Sequence, residues 1–285
     1  MFVKCLEGKI GKIQYFLEKI PYLIDKNKEE RYNKDMEKFI HEKIFDLRYR
    51  DVDFQDELKP SAAFSFMEEI ASYSADQIGW GVSFLKPRNY AFILSGVVCE
   101  FTHPILHGES VTVRTWPLPP AYAVFGREYQ ILQGGKVLAN ASSRWCLMDF
   151  SAGKLLTAKA LAETDADRYE TARTLENVRW KIPAFPVEDG ELRFVVTVAN
   201  TDYDHNLHVN NTRYVDYFFN CFSLKELSLR RVKRISVSYQ RQCYERDTLS
   251  FYRKQTENNV FLLQGVNQKG ETVTTGEVIF VEEKN

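Results

Sequence analysis

The chain has 285 residues, enough for one large domain or two of ordinary size, and its 44% hydrophobic and 14% aromatic content argues for filled cores rather than disorder. A formal net charge of −1 gives the whole molecule no electrostatic reason to bind nucleic acid or an anionic membrane. Cys5, Cys99, Cys146, Cys221 and Cys243 are scattered, odd in number and free of CxxC pairs, which reads as reduced thiols and excludes a disulfide framework or zinc site.

No apolar run approaches the roughly 20 residues of a membrane span. The start, MFVKCLEGKIGK, lacks a secretory h-region. A cytoplasmic protein with no stable membrane anchor is therefore expected. Residues 1–35 form an N-terminal extension: Ile10, Ile13, Phe16, Leu17 and Ile20 fall at helical spacing, and Lys26 to Lys34 is a charge-dense linker. Met36 opens a natural start, and translation is expected to begin there.

A first unit follows over 36–155. Lys43 to Arg50 alternates as a strand, then comes DVDFQDELKPSAAFSFM, with a helix pattern through Phe66, Met67, Ile70, Ala71, Ser74 and Ile78. Four strand-like runs come next, AFILSGVVCEFTH, SVTVRTW, YAVFGREYQIL and KVLANASSRWCLMDF, separated by HGE and QGGK turns. The connector, 156–190, has weak helical character and then turns irregular in KIPAFPVEDG. A second unit, 191–285, repeats the plan: the strand ELRFVVTVAN, a polar loop, an aromatic helix pattern (Tyr214, Val215, Phe218, Cys221, Phe222) and four more strands. The pattern is α+β.

The loops of the two units align. Asp51 matches Asp202, Asp53 matches Asp204, Gln55 matches Asn206 and Glu57 matches His208, all at a constant offset of 151. Two diverged copies of one unit predict an internal pseudo-dimer. The first copy has lost the histidine at this position, so only the second is expected to be chemically competent.

That second loop, TDYDHNLHVNNTRY, concentrates functional groups at a helix start, where unpaired N–H donors and positive dipole gather. Asp204, Asn206 and His208 at i, i+2, i+4 would point one way if the loop is extended. His208 is the best general base. Asp204 would orient it or activate water, Asn206 would meet a carbonyl, and backbone N–H groups of Val209 and Asn210 would hold an oxyanion. Asn210 or Asn211 would cap the helix. His205 reads as solvent-facing. Asp202, Asp204, His205 and His208 are too crowded to be read as a metal site, and no cofactor is expected.

The same stretch resembles the signature of the acyl-acyl-carrier-protein (ACP) thioesterases, D-x-D-x-N-x-H-V-N-N followed by an aromatic-rich helix. The likeness runs from about Glu42 to the C-terminus and includes Thr115 to Pro117, Arg127 and Ser142 to Asp149. It implies two tandem hot-dog units, each a long helix wrapped by an antiparallel β-sheet, the first shaping an acyl pocket and the second carrying catalysis. It implies Asp204, Asn206 and His208 as catalytic residues and an acyl-ACP substrate, hydrolysed to free fatty acid. Cys243 matches a cysteine sometimes assigned as nucleophile, although alternation along 235–243 places it on a core-like face. Plant members have Glu before that cysteine. Here it is Gln242.

An acyl-CoA thioesterase, a dehydratase of the same fold and a non-catalytic acyl-binding protein are the alternatives. A local basic excess, with Arg230, Arg231, Lys233 and Arg234, reads either as a docking rim for acidic ACP and its phosphopantetheine arm or as solvated strand-edge charge. A homodimer is a further expectation.

Overall fold

The alternating segments become one continuous antiparallel sheet. The computed structural model describes residues 38–161, 164, 166–204 and 206–282. The expectations for residues 1–35, for Met36 as a start and for His205 lie outside them. The described residues between 39 and 164 and between 169 and 282 cluster as one body.

Its strands are β1 (His41–Phe45), β2 (Tyr90–Phe101), β3 (Val111–Pro117), β4 (Val124–Gln133), β5 (Lys136–Asp149) and β6 (Lys154–Leu156), then β7 (Glu191–Thr197), β8 (Arg230–Tyr239), β9 (Thr248–Glu257), β10 (Val260–Asn267) and β11 (Thr272–Glu282). The helices are α1 (Pro60–Gln77), the one-turn α2 (Val82–Leu85), α3 (Asn211–Phe219) and α4 (Leu224–Ser228). Strand order is β1-β3-β4-β5-β2-β8-β11-β10-β9-β7, with the short β6 beside β5. The first half thus runs 1-3-4-5-2 and the second, read from its outer edge, 7-9-10-11-8. The halves join where equivalent strands pair: Gly96 to Glu100 of β2 lie opposite Ser238 to Arg234 of β8. This is the α+β tandem hot-dog arrangement, closed as an internal pseudo-dimer.

α1 starts with Pro60 at its first position, where the missing N–H costs nothing. It ends on Gly79 at φ 82°, with Gly79 N–H donating to the Asp76 carbonyl and Trp80 N–H to that of Ala75. Those two bonds satisfy the last carbonyls of the helix. One face buries Phe64, Phe66, Met67, Ile70 and Ala71. Each large apolar side chain so buried contributes roughly 1.5–3 kcal/mol.

α3 is half as long, 9 residues against 18. Asn210 caps it, its side-chain oxygen accepting the Thr212 N–H at 2.7 Å. Tyr214, Val215, Tyr217 and Phe218 are buried, and Cys221 and Phe222 stay buried beyond its end. Ser223 and Glu226 then form a capping box that opens α4.

The other face of the sheet is covered by the connector, whose described residues form no long helix. Buried Glu128 of β4 accepts the Thr174 N–H and hydroxyl at 2.9 and 2.7 Å. Gln264 of β10 accepts the Phe185 N–H at 2.8 Å, and the Thr275 hydroxyl donates to the Ile182 carbonyl at 3.0 Å. Arg127, one residue from Glu128, points the opposite way and donates to Ser74 of α1 at 2.9 Å. The sheet therefore has an inner, helix-bearing face and an outer, strapped one.

Candidate active site

The second loop leaves β7 and folds into a tight turn rather than extended chain. Asp204 N–H donates to the His208 carbonyl at 3.1 Å and Leu207 N–H to the Asp204 carbonyl at 3.2 Å. Tyr203 and Val209 close it as an isolated antiparallel bridge. Leu207 adopts φ 63°, which for a residue with a Cβ costs roughly 1–2 kcal/mol. The three candidate residues converge by this turn, not by the side-chain alternation expected from sequence.

Asp204 is its pivot. Its Oδ1 accepts the Asn206 N–H at 2.8 Å and its Oδ2 accepts the Asn206 carboxamide at 3.3 Å. The same Oδ2 lies 3.7 Å from His208 Nδ1. That nitrogen is 3.1 Å from the Val209 carbonyl oxygen. A carbonyl only accepts, so Nδ1 carries the proton and Nε2 keeps its lone pair. The side chains of Asp204 and His208 are 6% and 17% exposed, so the carboxylate is withdrawn while the imidazole keeps an opening.

The first half repeats the backbone frame of this turn without the histidine. Asp53 N–H donates to the Glu57 carbonyl at 2.8 Å, Asp53 Oδ1 accepts the Gln55 N–H at 2.8 Å, and Val52 bridges Leu58. Asp56 holds φ 59° where Leu207 holds 63°.

Two expected donors are committed elsewhere. Val209 N–H donates to the Cys243 carbonyl at 3.2 Å and Asn210 N–H to the Asp202 carbonyl at 2.9 Å. This corrects the expectation that they face an oxyanion. Thr212 and Arg213 N–H groups go to Asn210. Among the described residues, the Asn211 N–H is the group at this helix start with no acceptor.

Cys243 lies beyond β8, not on it, and is buried. Burial pushes its thiol up from the ordinary value, which disfavours the thiolate. Gln242 is exposed, and its Oε1 accepts the Tyr244 hydroxyl at 2.9 Å.

The structure does not bring the basic run to the site. Arg230 stacks over Phe261 and Phe280, Arg234 pairs with Glu100 at 3.7 Å, and Arg231 reaches the Thr102 carbonyl at 3.4 Å. Lys233 is exposed. Along a strand rising about 3.3 Å per residue, Arg230 stands roughly 30 Å from Tyr239, whose hydroxyl donates to the Asn211 carbonyl at 3.1 Å.

A narrow, mostly apolar pocket is lined by Asn211 and Thr212 at the start of α3, by Phe64 and Met67 of α1, and by Val97 of the sheet.

With this geometry in hand, comparison with known proteins is decisive. Residues 38–159 match the model of the acyl-ACP thioesterase N-terminal domain and residues 188–282 that of the C-terminal domain. The chain belongs to the acyl-ACP thioesterase family. An acyl-ACP thioesterase from Bacteroides thetaiotaomicron shares the fold at TM-score 0.78 and 23% identity, over 85% of this chain and 98% of that one. The 12:0-ACP thioesterase from Umbellularia californica aligns at TM-score 0.74 and 16% identity, over 86% and 98%. The chloroplastic acyl-[acyl-carrier-protein] hydrolase FATB2 of Cuphea viscosissima is 25% identical over 141 residues, 48% of this chain but 34% of that protein. The palmitoyl-ACP thioesterase of Cuphea hookeriana is 23% identical over 180 residues, 61% of this chain and 43% of that protein. The chain thus aligns with less than half the length of these curated relatives.

In this acyl-ACP thioesterase family member, sequence reasoning missed one pair. Buried Asp202 holds Arg213, through Nε at 3.0 Å and Nη2 at 2.9 Å. It also accepts the Ala199 N–H at 2.9 Å. Burial alone would raise the Asp202 carboxyl, but those donors hold it below the usual carboxylate range. An aspartate opening the loop and a cation in the first turn of the following helix was the signal available. No helix among the described residues is long and apolar enough to cross a membrane.

Proposed function

We propose that the chain hydrolyses fatty acyl-ACP thioesters to free fatty acid and ACP, ending acyl elongation in the cytoplasm. What carries this reading is His208, held with Nδ1 as donor and Nε2 free beside a withdrawn Asp204, on the turn that runs into α3, whose first residues Asn211 and Thr212 line an apolar pocket.

In the mechanism, His208 Nε2 takes a proton from water as the water oxygen bonds to the thioester carbon. The Asn211 N–H and the α3 dipole stabilise the oxyanion. Asp204 stabilises the imidazolium, and Asn206, bonded to Asp204 through its own N–H groups, fixes that carboxylate. The tetrahedral species then collapses, the C–S bond breaks, and the Nε2 proton passes to the leaving sulfur. Water is the nucleophile, because the Cys243 thiol is buried and protonated. The partner is ACP, whose phosphopantetheine arm delivers the thioester.

The test is thiol release from a panel of acyl-ACP and acyl-CoA substrates. The reading expects turnover with the highest kcat/KM on acyl-ACP. Equal or better use of acyl-CoA would replace the carrier with the coenzyme, and no release from any thioester would overturn the hydrolase reading.

A further inference from the structure

The two halves of the chain supply an internal comparison at the oxyanion donor. In the second half that donor is the N–H of Asn211, the first residue of α3. Its counterpart in the first half is Pro60, the first residue of α1, which has no N–H to give. The residues before them share one backbone conformation, φ −59° and ψ 136° at Asn210, φ −60° and ψ 140° at Lys59. The half that lacks the histidine therefore lacks the donor too.

A third difference lies on the two strands that join the halves. Each loop is tied down by a carbonyl just beyond such a strand: Val209 N–H donates to Cys243 at 3.2 Å, and Leu58 N–H to Ile105 at 2.8 Å. Tyr239 ends β8 four residues before Cys243, and Phe101 ends β2 four residues before Ile105. Both pairs stand 138 residues apart, as do Val98 and Ser236, which face each other across the β2–β8 junction. Phe101 is thus the counterpart of Tyr239, without the hydroxyl.

That hydroxyl is in use. It donates to the Asn211 carbonyl at 3.1 Å, and the Tyr239 ring meets Tyr214, on the same turn of α3, edge-on at 6.0 Å. The neighbouring peptides are held as well, Asn210 N–H by the Asp202 carbonyl and Thr212 N–H by the Asn210 side chain. Burial pushes the Tyr239 hydroxyl up, and Glu68 adds to the shift, so the group stays a neutral donor.

We propose that Tyr239 is a positioning residue for the oxyanion donor, its hydroxyl holding the Asn211 carbonyl so that the N–H on the other side of the same Cα stays aimed at the thioester oxygen. A donor fixed in advance need not reorganise as charge develops, which is where such groups gain their effect. The proposal deepens the thioesterase reading and rests on it.

The experiment compares wild type, Tyr239→Phe, Asn211→Ala, Asn211→Pro and the double variant Asn211→Pro with Tyr239→Phe. Tyr239→Phe removes one oxygen. Asn211→Pro removes the N–H where the preceding residue already has the extended backbone that proline requires, and Asn211→Ala removes the same side chain but keeps the N–H. Single-turnover hydrolysis of acyl-ACP is measured beside the binding of two pantetheine ligands. One is a plain S-alkyl thioether; the other is an alkylphosphonothioate, whose tetrahedral anionic phosphorus imitates the intermediate. Tyr239→Phe should slow the chemical step about tenfold and weaken the phosphonothioate by a similar factor, while thioether affinity stays within about twofold. Asn211→Pro should be about 10²-fold slower than Asn211→Ala, and in its background removing the Tyr239 hydroxyl should add nothing. If Asn211→Pro folds poorly, the split between the two ligands in Tyr239→Phe still decides. Equal weakening of both ligands, or a Tyr239→Phe loss that persists in full beside Asn211→Pro, would reduce Tyr239 to a brace of the pocket and overturn the proposal. So would a chemical step within about twofold of wild type in Tyr239→Phe. A wild type that releases thiol from no thioester would instead sink the hydrolase reading, and this role with it.

Discussion

Asp202 and Arg213 fasten the two ends of the candidate active-site loop together, with Asp202 Oδ1 receiving both Nε and Nη2 of the arginine. The same aspartate gives its carbonyl to the Asn210 N–H, the capping residue of α3. In the first half Asp51 keeps the corresponding carbonyl bond, to the Lys59 N–H at 2.9 Å, but Ala62 stands where Arg213 would be. The clamp exists in the copy that has the histidine.

Breaking it should misplace the base while the fold survives. Arg213→Ala is expected to cost about 1–3 kcal/mol of stability, less than a fully buried pair because the arginine side chain is 39% exposed. It should lower kcat by roughly tenfold or more with little change in KM, since small displacements of catalytic groups are costly. Arg213→Lys should recover part of the loss. A uniform fall in active enzyme with unchanged kcat per folded molecule would reduce the pair to a structural role.

The duplicated turn predicts an asymmetry. Glu57→Ala alters the first copy, where Glu57 occupies the position of the imidazole, so turnover should stay within about threefold of wild type. Thiol-release kinetics check this. A folded Glu57→Ala protein without activity would contradict a single working copy.

Cys243 contributes its carbonyl to Val209 and packs its thiol into the core. Cys243→Ser should therefore retain more than about a tenth of the activity, with a loss of stability from burying a hydroxyl. Burial raises the thiol, so alkylation by iodoacetamide at neutral pH should be slow in the native protein and become fast on unfolding. A trapped acyl-Cys243 thioester would restore a covalent mechanism.

Much of the fold was legible because alternation and helical spacing are local. The strands from β2 to β5 and from β8 to β11 follow the apolar runs, and the 151-residue offset survives as matching hydrogen bonds in the two turns. What was not legible depends on distant partners. Val209 meets the Cys243 carbonyl, and Thr174 meets Glu128, 46 residues away. The turn at Leu207 was hidden for another reason: leucine carries no preference for left-handed backbone, so nothing in NLH announces it. The basic run read as a rim, yet Arg230 covers aromatic rings and Arg234 answers a glutamate on β2.

Glu226 gives an acid-stability signature. Burial would raise its carboxyl, but the Ser223 N–H and hydroxyl and the Arg253 guanidinium hold it at about 2, below the ordinary 4.5. A folded pKa below the unfolded one stabilises above the unfolded value, and that contribution fades as pH falls from about 4.5 towards 2. With the side chain 29% exposed, it is worth about 1–3 kcal/mol at neutral pH. Denaturant unfolding should show Glu226→Gln less stable at pH 7, with the gap closing near pH 2. A gap independent of pH would assign the effect to packing.

The measurement that tests the central claim most directly is single-turnover hydrolysis of acyl-ACP by His208→Ala and Asp204→Ala, with folding verified by circular dichroism. Removing the general base or the carboxylate that supports it should slow the chemical step by at least about 10²-fold in each variant. Both residues sit on a short turn outside the hydrophobic core, so the folded signal should be retained. Near-normal turnover by either folded variant would contradict the assignment of this turn as the active site.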